Sequence, residues 1–247
     1  MGIDELNTAS QTWAIEVQGL TKSFGHHLAL RGLDLKVIPG EAVVIFGPNG
    51  AGKTTLIKVL ATIMNPTSGK ILIDGLSLKN YAEDIRRRMG VITHQTFLYS
   101  NLTAYENLEF YSCMYDVPIP NERIGEVVEM VGMTSRLHDR VGTFSRGMQQ
   151  RISIARSLLH KPAIMLLDEP ETGLDQQAIS ILQEALQIED GGKRTIVLTT
   201  HSLERGLELG NRIFILYQGR FVYERATKGL DLASLKEAYQ HSTRARA

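Results

Sequence analysis

Short apolar runs separated by turn residues make up most of the chain, and their character changes twice along its length. Over residues 13–37 the runs are brief: Ile15-Glu16-Val17, Leu28-Ala29-Leu30 and Leu33-Asp34-Leu35-Lys36-Val37. The last alternates apolar and polar at every step, which predicts a half-exposed antiparallel strand. Pro39-Gly40 turns the chain into Glu41-Ala42-Val43-Val44-Ile45-Phe46, a buried strand, and residues 54–60 follow as a helix. After a break at 65–69, Lys70-Ile71-Leu72-Ile73 reads as a short strand turned by Asp74-Gly75. Residues 83–88 read as a helix with its three arginines in solvent. Residues 89–93 read as a strand ending at His94-Gln95.

From 96 to 160 the pattern becomes helical. Thr103 with Glu106 three positions on predicts a capping box, opening a helix to about Tyr115 that stops before Pro118 and Pro120. Asn121 is expected to cap a second helix, and 147–160 forms a third with Ile152, Ala155, Leu158 and Leu159 on one side. The strand pattern then resumes. Ala163-Ile164-Met165-Leu166-Leu167 is continuously apolar, as a strand covered on both faces requires. A helix over 176–188, a strand over 195–199, a helix over 202–209, a hairpin around Gln218-Gly219 and a helix over 230–239 complete the chain. Residues 1–12 and 241–247 are polar and expected to fray. Alternating strands and helices with a helical block between them predict an α/β core carrying an antiparallel β subdomain and an inserted helical subdomain at 96–160.

Composition narrows the function more than the fold. The chain has 247 residues, 27 basic and 27 acidic, so its formal net charge is zero and gives no electrostatic case for nucleic acid. No apolar run approaches the roughly 20 residues that span a bilayer. Residues 1–7 lack the basic-then-apolar order of an export signal, so a cytoplasmic protein that meets a membrane only through a partner is expected. Cys113 is the single cysteine, which excludes a disulfide framework; it falls in a helix and is expected to be packed.

The chemistry is concentrated where strands end. Gly47-Pro48-Asn49-Gly50-Ala51-Gly52-Lys53-Thr54 fits G-x-x-x-x-G-K-[ST] between a strand and a helix. Glycines there let backbone N–H groups turn toward a phosphate chain, and the helix N-terminus adds its positive end. Lys53 can reach the terminal phosphates, and the Thr54 hydroxyl can ligate Mg²⁺. A second strand ends in Asp168-Glu169, two carboxylates at the edge of a sheet where ligands bind. Asp168 suits a metal ion held through water, and Glu169 suits polarising an attacking water.

Phe144-Ser145-Arg146-Gly147-Met148-Gln149-Gln150-Arg151, just upstream of that strand, resembles the signature segment of ABC-type ATPases, usually Leu-Ser-Gly-Gly-Gln followed by Gln and Arg. With the motifs around it the resemblance covers about 13–227, leaving 228–247 as a C-terminal helix and tail. It implies a P-loop NTPase core of RecA-like type, ATP and Mg²⁺ as ligands, and hydrolysis of ATP. It also implies two subunits, expected to be copies of one chain, that close head to tail around two ATP and drive a polytopic membrane permease at the cytoplasmic face of the plasma membrane. Thr54, Gln95 and Asp168 would then serve the metal, and Lys53, Gln95, Glu169 and His201 the reaction. Phe24, in place of the usual tyrosine, would stack on adenine. Gly47, Pro48, Asn49, Gly50, Ala51, Gly52, Lys53, Thr54 and Thr55 would cradle the phosphates, while Ser145, Arg146, Gly147 and Asp175 would face the nucleotide of the other subunit. Arg146 and Met148 depart from the usual Gly and Gln; Arg146 either adds charge near a phosphate or, the favoured reading, points to solvent. Six of the aromatics fall between Phe97 and Tyr115, either as subdomain core or as the groove that takes a short helix of the membrane subunit. Among ATPase subunits of exporters, the segments at 144–151 and 168–175 are most similar to the haem exporter of cytochrome c maturation, with drug and polysaccharide exporters as close competitors. A soluble ABC ATPase without a transport role is the rival class.

Overall fold

The computed structural model describes residues 13–171, 176–187 and 193–244. The expected frayed segment at 1–12, the Thr172-Gly173-Leu174-Asp175 stretch and the tail at 245–247 lie outside the described residues. The strands are β1 (Ile15–Phe24), β2 (His27–Val37), β3 (Ala42–Phe46), β4 (Ser68–Ile73), β5 (Leu76–Ser77), β6 (Met89–Ile92), β7 (Ile164–Asp168), β8 (Thr195–Thr199), β9 (Arg212–Tyr217) and β10 (Arg220–Ala226). The helices are α1 (Lys53–Leu60), α2 (Ala82–Arg86), α3 (Ala104–Met114), α4 (Pro120–Met130), α5 (Arg146–Leu158), α6 (Gln176–Gln187), α7 (Leu203–Leu209) and α8 (Leu232–Arg244).

Two sheets organise them. One is antiparallel, in the order β2-β1-β4-β5; the other runs β10-β9-β3-β8-β7-β6, with β3, β6, β7, β8 and β9 mutually parallel and β10 an antiparallel edge. The parallel strands bury both faces, and successive residues alternate between two cores. Val44 and Phe46 of β3, Met165 and Leu167 of β7, and Ile213 and Ile215 of β9 join one core with buried residues of α3, α4 and α5. Val43 and Ile45, Ile164 and Leu166, and Phe214 and Leu216 join the other, with α1 and the antiparallel sheet. The antiparallel sheet buries one face only: Leu33, Leu35 and Val37 point in while Asp34 and Lys36 point out. All of α3, α4 and α5 falls between β6 and β7, as a helical block inserted in the α/β core. Among the described residues no helix is long and apolar enough to cross a membrane.

Four local details differ from the sequence reading, each for a physical reason. The brief runs over 13–37 are two long strands whose ladder shifts register between Val17 and Leu20, Leu20 and Thr21, and Lys22 and Ser23. Each shift breaks the period-two pattern that marks a strand. Asn121 does not cap α4: Ile119 takes that place with φ 49°, Pro120 opens the first turn, and the Asn121 side chain accepts from the Tyr105 hydroxyl at 2.8 Å. Cys113 is exposed, because α3 buries Ala104, Asn107, Leu108 and Ser112 on a stripe that passes beside it. Helix α8 runs on to Arg244 instead of stopping near Tyr239. The capping box is present: the Glu106 N–H donates to Thr103 Oγ1 at 3.1 Å and the Thr103 N–H to Glu106 Oε2 at 2.7 Å.

Candidate functional site

The parallel strands deliver the site residues to one edge. Beyond the end of β3 the loop 47–52 wraps the start of α1. Gly47 and Gly52 are required by the protein's own packing there. A Cβ on Gly47 would lie 2.3 Å from the Leu216 carbonyl oxygen, and one on Gly52 would lie 2.7 Å from the Ala29 carbonyl oxygen. Gly50, by contrast, faces open space with φ 79°. The first turn of α1 carries no acidic residue, and no side chain caps it, so its N–H groups point outward with the dipole's positive end. That is the donor set an anion needs. A cleft of about 320 Å³ opens over this loop, lined by residues 48–55 together with Phe24, His27, Ala29 and Glu169. His27, the ladder partner of Phe24 across the β1–β2 turn, gave no motif signal; its pairing with Phe24 in the hairpin is what brings it here.

Lys53 is buried, 4% exposed, and its ammonium donates to the Gly47 carbonyl at 2.7 Å. It also stands 3.4 Å from Glu169 Oε1. The same Glu169 oxygen lies 2.7 Å from His201 Nε2. Glu169 follows directly on β7 with φ 49°, a left-handed backbone that costs a non-glycine residue about 1–2 kcal/mol. Its N–H donates to both the carbonyl and the hydroxyl of Thr199, each at 3.1 Å. The Thr199 hydroxyl in turn lies 2.8 Å from Asp168 Oδ1, and Asp168 is 2% exposed. Glu169 is therefore held by its main chain and its carboxylate at once, with the carboxylate facing the loop. Among the described residues no three His, Cys, Asp or Glu side chains cluster to hold a metal by themselves. The oxygens of Thr54, Gln95 and Asp168 are the hard donors that suit Mg²⁺ when phosphate oxygens complete the set.

The remaining expected residues occupy a different place. Ser145 caps α5, its hydroxyl accepting from the Met148 N–H at 3.3 Å. Arg146 is exposed, as favoured from the sequence, and a Cβ on Gly147 would meet nothing within 4 Å. Arg146 lines a second cleft of about 700 Å³ with Gln95, His94, Thr96, Phe97 and Gln149. Gln95 is thus grouped with the α5 N-terminus, not with the residues lining the cleft over loop 47–52. Three side chains tie α5 to the segment on either side of Gln95. Gln150 donates to the Thr93 carbonyl at 3.3 Å, Ser153 to Thr96 at 3.2 Å and Arg156 to Val91 at 2.8 Å. Spaced three apart, they share one helix face. The Arg156 guanidinium also lies 5.5 Å from the Phe97 ring and 5.1 Å from the Tyr111 ring. Beside it, Tyr99, Phe110 and Tyr111 meet edge to face at 5.4 and 5.3 Å. Phe97, Tyr99, Phe110 and Met114 are exposed at 37%, 51%, 41% and 57%, so this group is not core alone. Asp175 lies outside the described residues.

Residues 30–172 match the family described as ABC transporter. The chain is 35% identical over 205 residues to the ABC transporter ATP-binding protein NatA of Bacillus subtilis, covering 82% of this chain and 83% of that protein. It is 34% identical over 211 residues to the linearmycin resistance ATP-binding protein LnrL of the same organism, covering 84% and 68%. It is 33% identical over 215 residues to the Nod factor export ATP-binding protein I of Cupriavidus metallidurans, covering 86% and 71%. Among solved structures, an ATP-binding subunit of an ABC transporter superposes with TM-score 0.85 at 30% identity over 93% of this chain and 99% of the other. An ATP-binding cassette solved as a dimer in a post-hydrolysis state with ADP and Pi superposes with TM-score 0.78 at 29% identity over 87% and 100%.

Proposed function

The chain belongs to the ABC transporter family and is an ATPase of that family, and from this premise we propose that it works as a head-to-tail dimer driving an export permease. The observation that carries the reading is the Glu169 carboxylate, held between Lys53 and His201 at the mouth of the cleft over loop 47–52. Adenine stacks on Phe24, and the phosphates lie along residues 47–55 under the α1 N-terminus. Lys53 turns from the Gly47 carbonyl to the terminal phosphates. Glu169 takes a proton from the water that attacks the γ-phosphorus; the bond to the bridging oxygen breaks, leaving ADP and inorganic phosphate. His201 keeps that carboxylate aimed at the water. Thr54 and Asp168 would hold Mg²⁺, which neutralises charge on the phosphate oxygens when bound, and Gln95 would have to move across from the second cleft to join them. Most of the acceleration comes from positioning and charge stabilisation.

Within one chain the α5 N-terminus lines the cleft of Gln95 and not the cleft of Lys53. That separation supports an arrangement in which Ser145, Arg146 and Gly147 complete the nucleotide site of a second copy, with Asp175 joining them by the family resemblance alone. We take 13–227 as the nucleotide-binding domain, with 96–160 as its helical insert, and 228–247 as an appendage. In this reading the exposed rings of Phe97, Tyr99 and Phe110 take a short helix of the permease, and the protein sits peripherally at the cytoplasmic membrane face. Relatives named for linearmycin resistance and Nod factor export support an exported organic molecule. The haem version rests on the motifs at 144–151 and 168–175 alone.

The test is a pull-down with a tagged Glu169→Gln chain from gently solubilised membranes with ATP present. A polytopic membrane protein in stoichiometric amount, lost when Tyr99 and Phe110 are both changed to Asp, is the expected result. Ribosomes, DNA or no partner would overturn the transport reading.

A further inference from the structure

Strand β8 lies between the strand that leads into loop 47–52 and the strand that ends in the two carboxylates. Its last residue, Thr199, is in register with Asp168 on one side and with Ile45 on the other. In a parallel ladder, register partners point to the same face, so the Thr199 and Asp168 side chains meet at the sheet edge. Thr199 is fully buried, and its hydroxyl has one proton to give. The carboxylate oxygen of Asp168 at 2.8 Å is the better acceptor; the Leu167 carbonyl is at 3.5 Å. A lone pair of the same hydroxyl then remains for the Glu169 N–H at 3.1 Å. One hydroxyl thus fixes the side chain of Asp168 and the main chain of Glu169.

We propose that Thr199 is a positioning residue that sets both carboxylates of the Asp168-Glu169 pair, one for the metal and one for the attacking water. With Oδ1 engaged by Thr199, the buried Asp168 carboxylate is held against rotation. Glu169 stands in a left-handed backbone conformation that could relax by rotating its peptide. Thr199 opposes that rotation with two acceptors for one N–H, its carbonyl and its hydroxyl. Two residues on, His201 holds the carboxylate of the same Glu169 at 2.7 Å. The end of β8 therefore grips Glu169 at both ends.

The inference rests on the proposed Mg²⁺-dependent hydrolysis, and its test separates the two. Thr199→Val keeps shape and volume and removes the hydroxyl; Thr199→Ser keeps the hydroxyl. Binding of a fluorescent ATP analogue is titrated with and without Mg²⁺, alongside kcat, KM and the melting temperature. In Thr199→Val, the Mg²⁺ concentration for half-saturation should rise about tenfold and kcat should fall about tenfold, the usual scale for residues that orient metal ligands. KM in saturating Mg²⁺ and affinity in EDTA should stay within about twofold, and Thr199→Ser should restore the wild-type values. Should the valine chain fail to fold, Thr199→Cys, with a weak donor of similar volume, is expected to give an intermediate effect. A variant that melts earlier yet keeps kcat and the Mg²⁺ response reduces Thr199 to packing and overturns the inference. A wild-type chain whose nucleotide affinity ignores Mg²⁺ overturns the metal reading itself.

Discussion

Glu169 is held by contacts from three residues: the Lys53 ammonium, the His201 ring and the Thr199 end of β8. Changing it to Gln keeps the shape and the hydrogen bonds but removes the proton acceptor. Turnover should fall by a factor of 10² to 10⁴, the range for a general base, while ATP binding persists. A variant hydrolysing at the normal rate would show that another group takes the proton. Gly47 gives a steric prediction. Gly47→Ala puts a methyl 2.3 Å from the Leu216 carbonyl, so the loop must shift. Nucleotide binding by titration should be lost although the methyl touches no phosphate; unchanged binding would mean the loop gives way without cost. His160 gives a pH prediction. Burial lowers its pKa from the usual 6.5 to about 4; it stacks on Tyr115 at 4.0 Å, and Nε2 lies 3.0 Å from the Met89 carbonyl, placing the proton there. Above pH 6.5 the ring is neutral folded or unfolded. As pH falls from 6.5 to 4 only the unfolded chain takes up the proton. Stability should therefore drop by about 3 kcal/mol across that window and level off below it. Urea midpoints at pH 7 and pH 5 read this, and His160→Gln should lose this part of the slope.

At the level of elements, helix α3 rests on its capping box. Thr103→Ala leaves the Glu106 N–H without its acceptor and should cost about 1 kcal/mol, read as a lower urea midpoint with unchanged slope. That box was legible because both partners lie within four residues. The strands ending at residues 46 and 168 were legible for the same reason, as contiguous apolar runs. The β1–β2 hairpin was less so, because its register shifts interrupt the alternation. Asn121 misled because a good capping residue stood one place after a proline, and Pro120 claims the first turn. Thr199 was invisible, since its contacts with Asp168 and Glu169 depend on which strands are neighbours. The ties from Gln150, Ser153 and Arg156 to the Gln95 segment are of the same kind.

Over the whole molecule, the residues proposed for one nucleotide site line two separate clefts. Loop 47–52, Phe24 and Glu169 line one; Gln95 and Arg146 line the other. The motifs assign Arg146 to the nucleotide of the other subunit and Gln95 to that of its own chain; the fold puts both in the cleft away from loop 47–52. A second copy related head to tail would bring the α5 N-terminus of one chain over the phosphates of the other, and ATP would be the glue. The most direct test is light scattering on Glu169→Gln with and without ATP, with Gly147→Asp added in a parallel sample. The mass should double with ATP and stay that of one chain without it, and Gly147→Asp should prevent the doubling while leaving ATP bound. A Glu169→Gln chain that binds ATP yet remains a single chain, or one that doubles regardless of Gly147, would contradict the head-to-tail account.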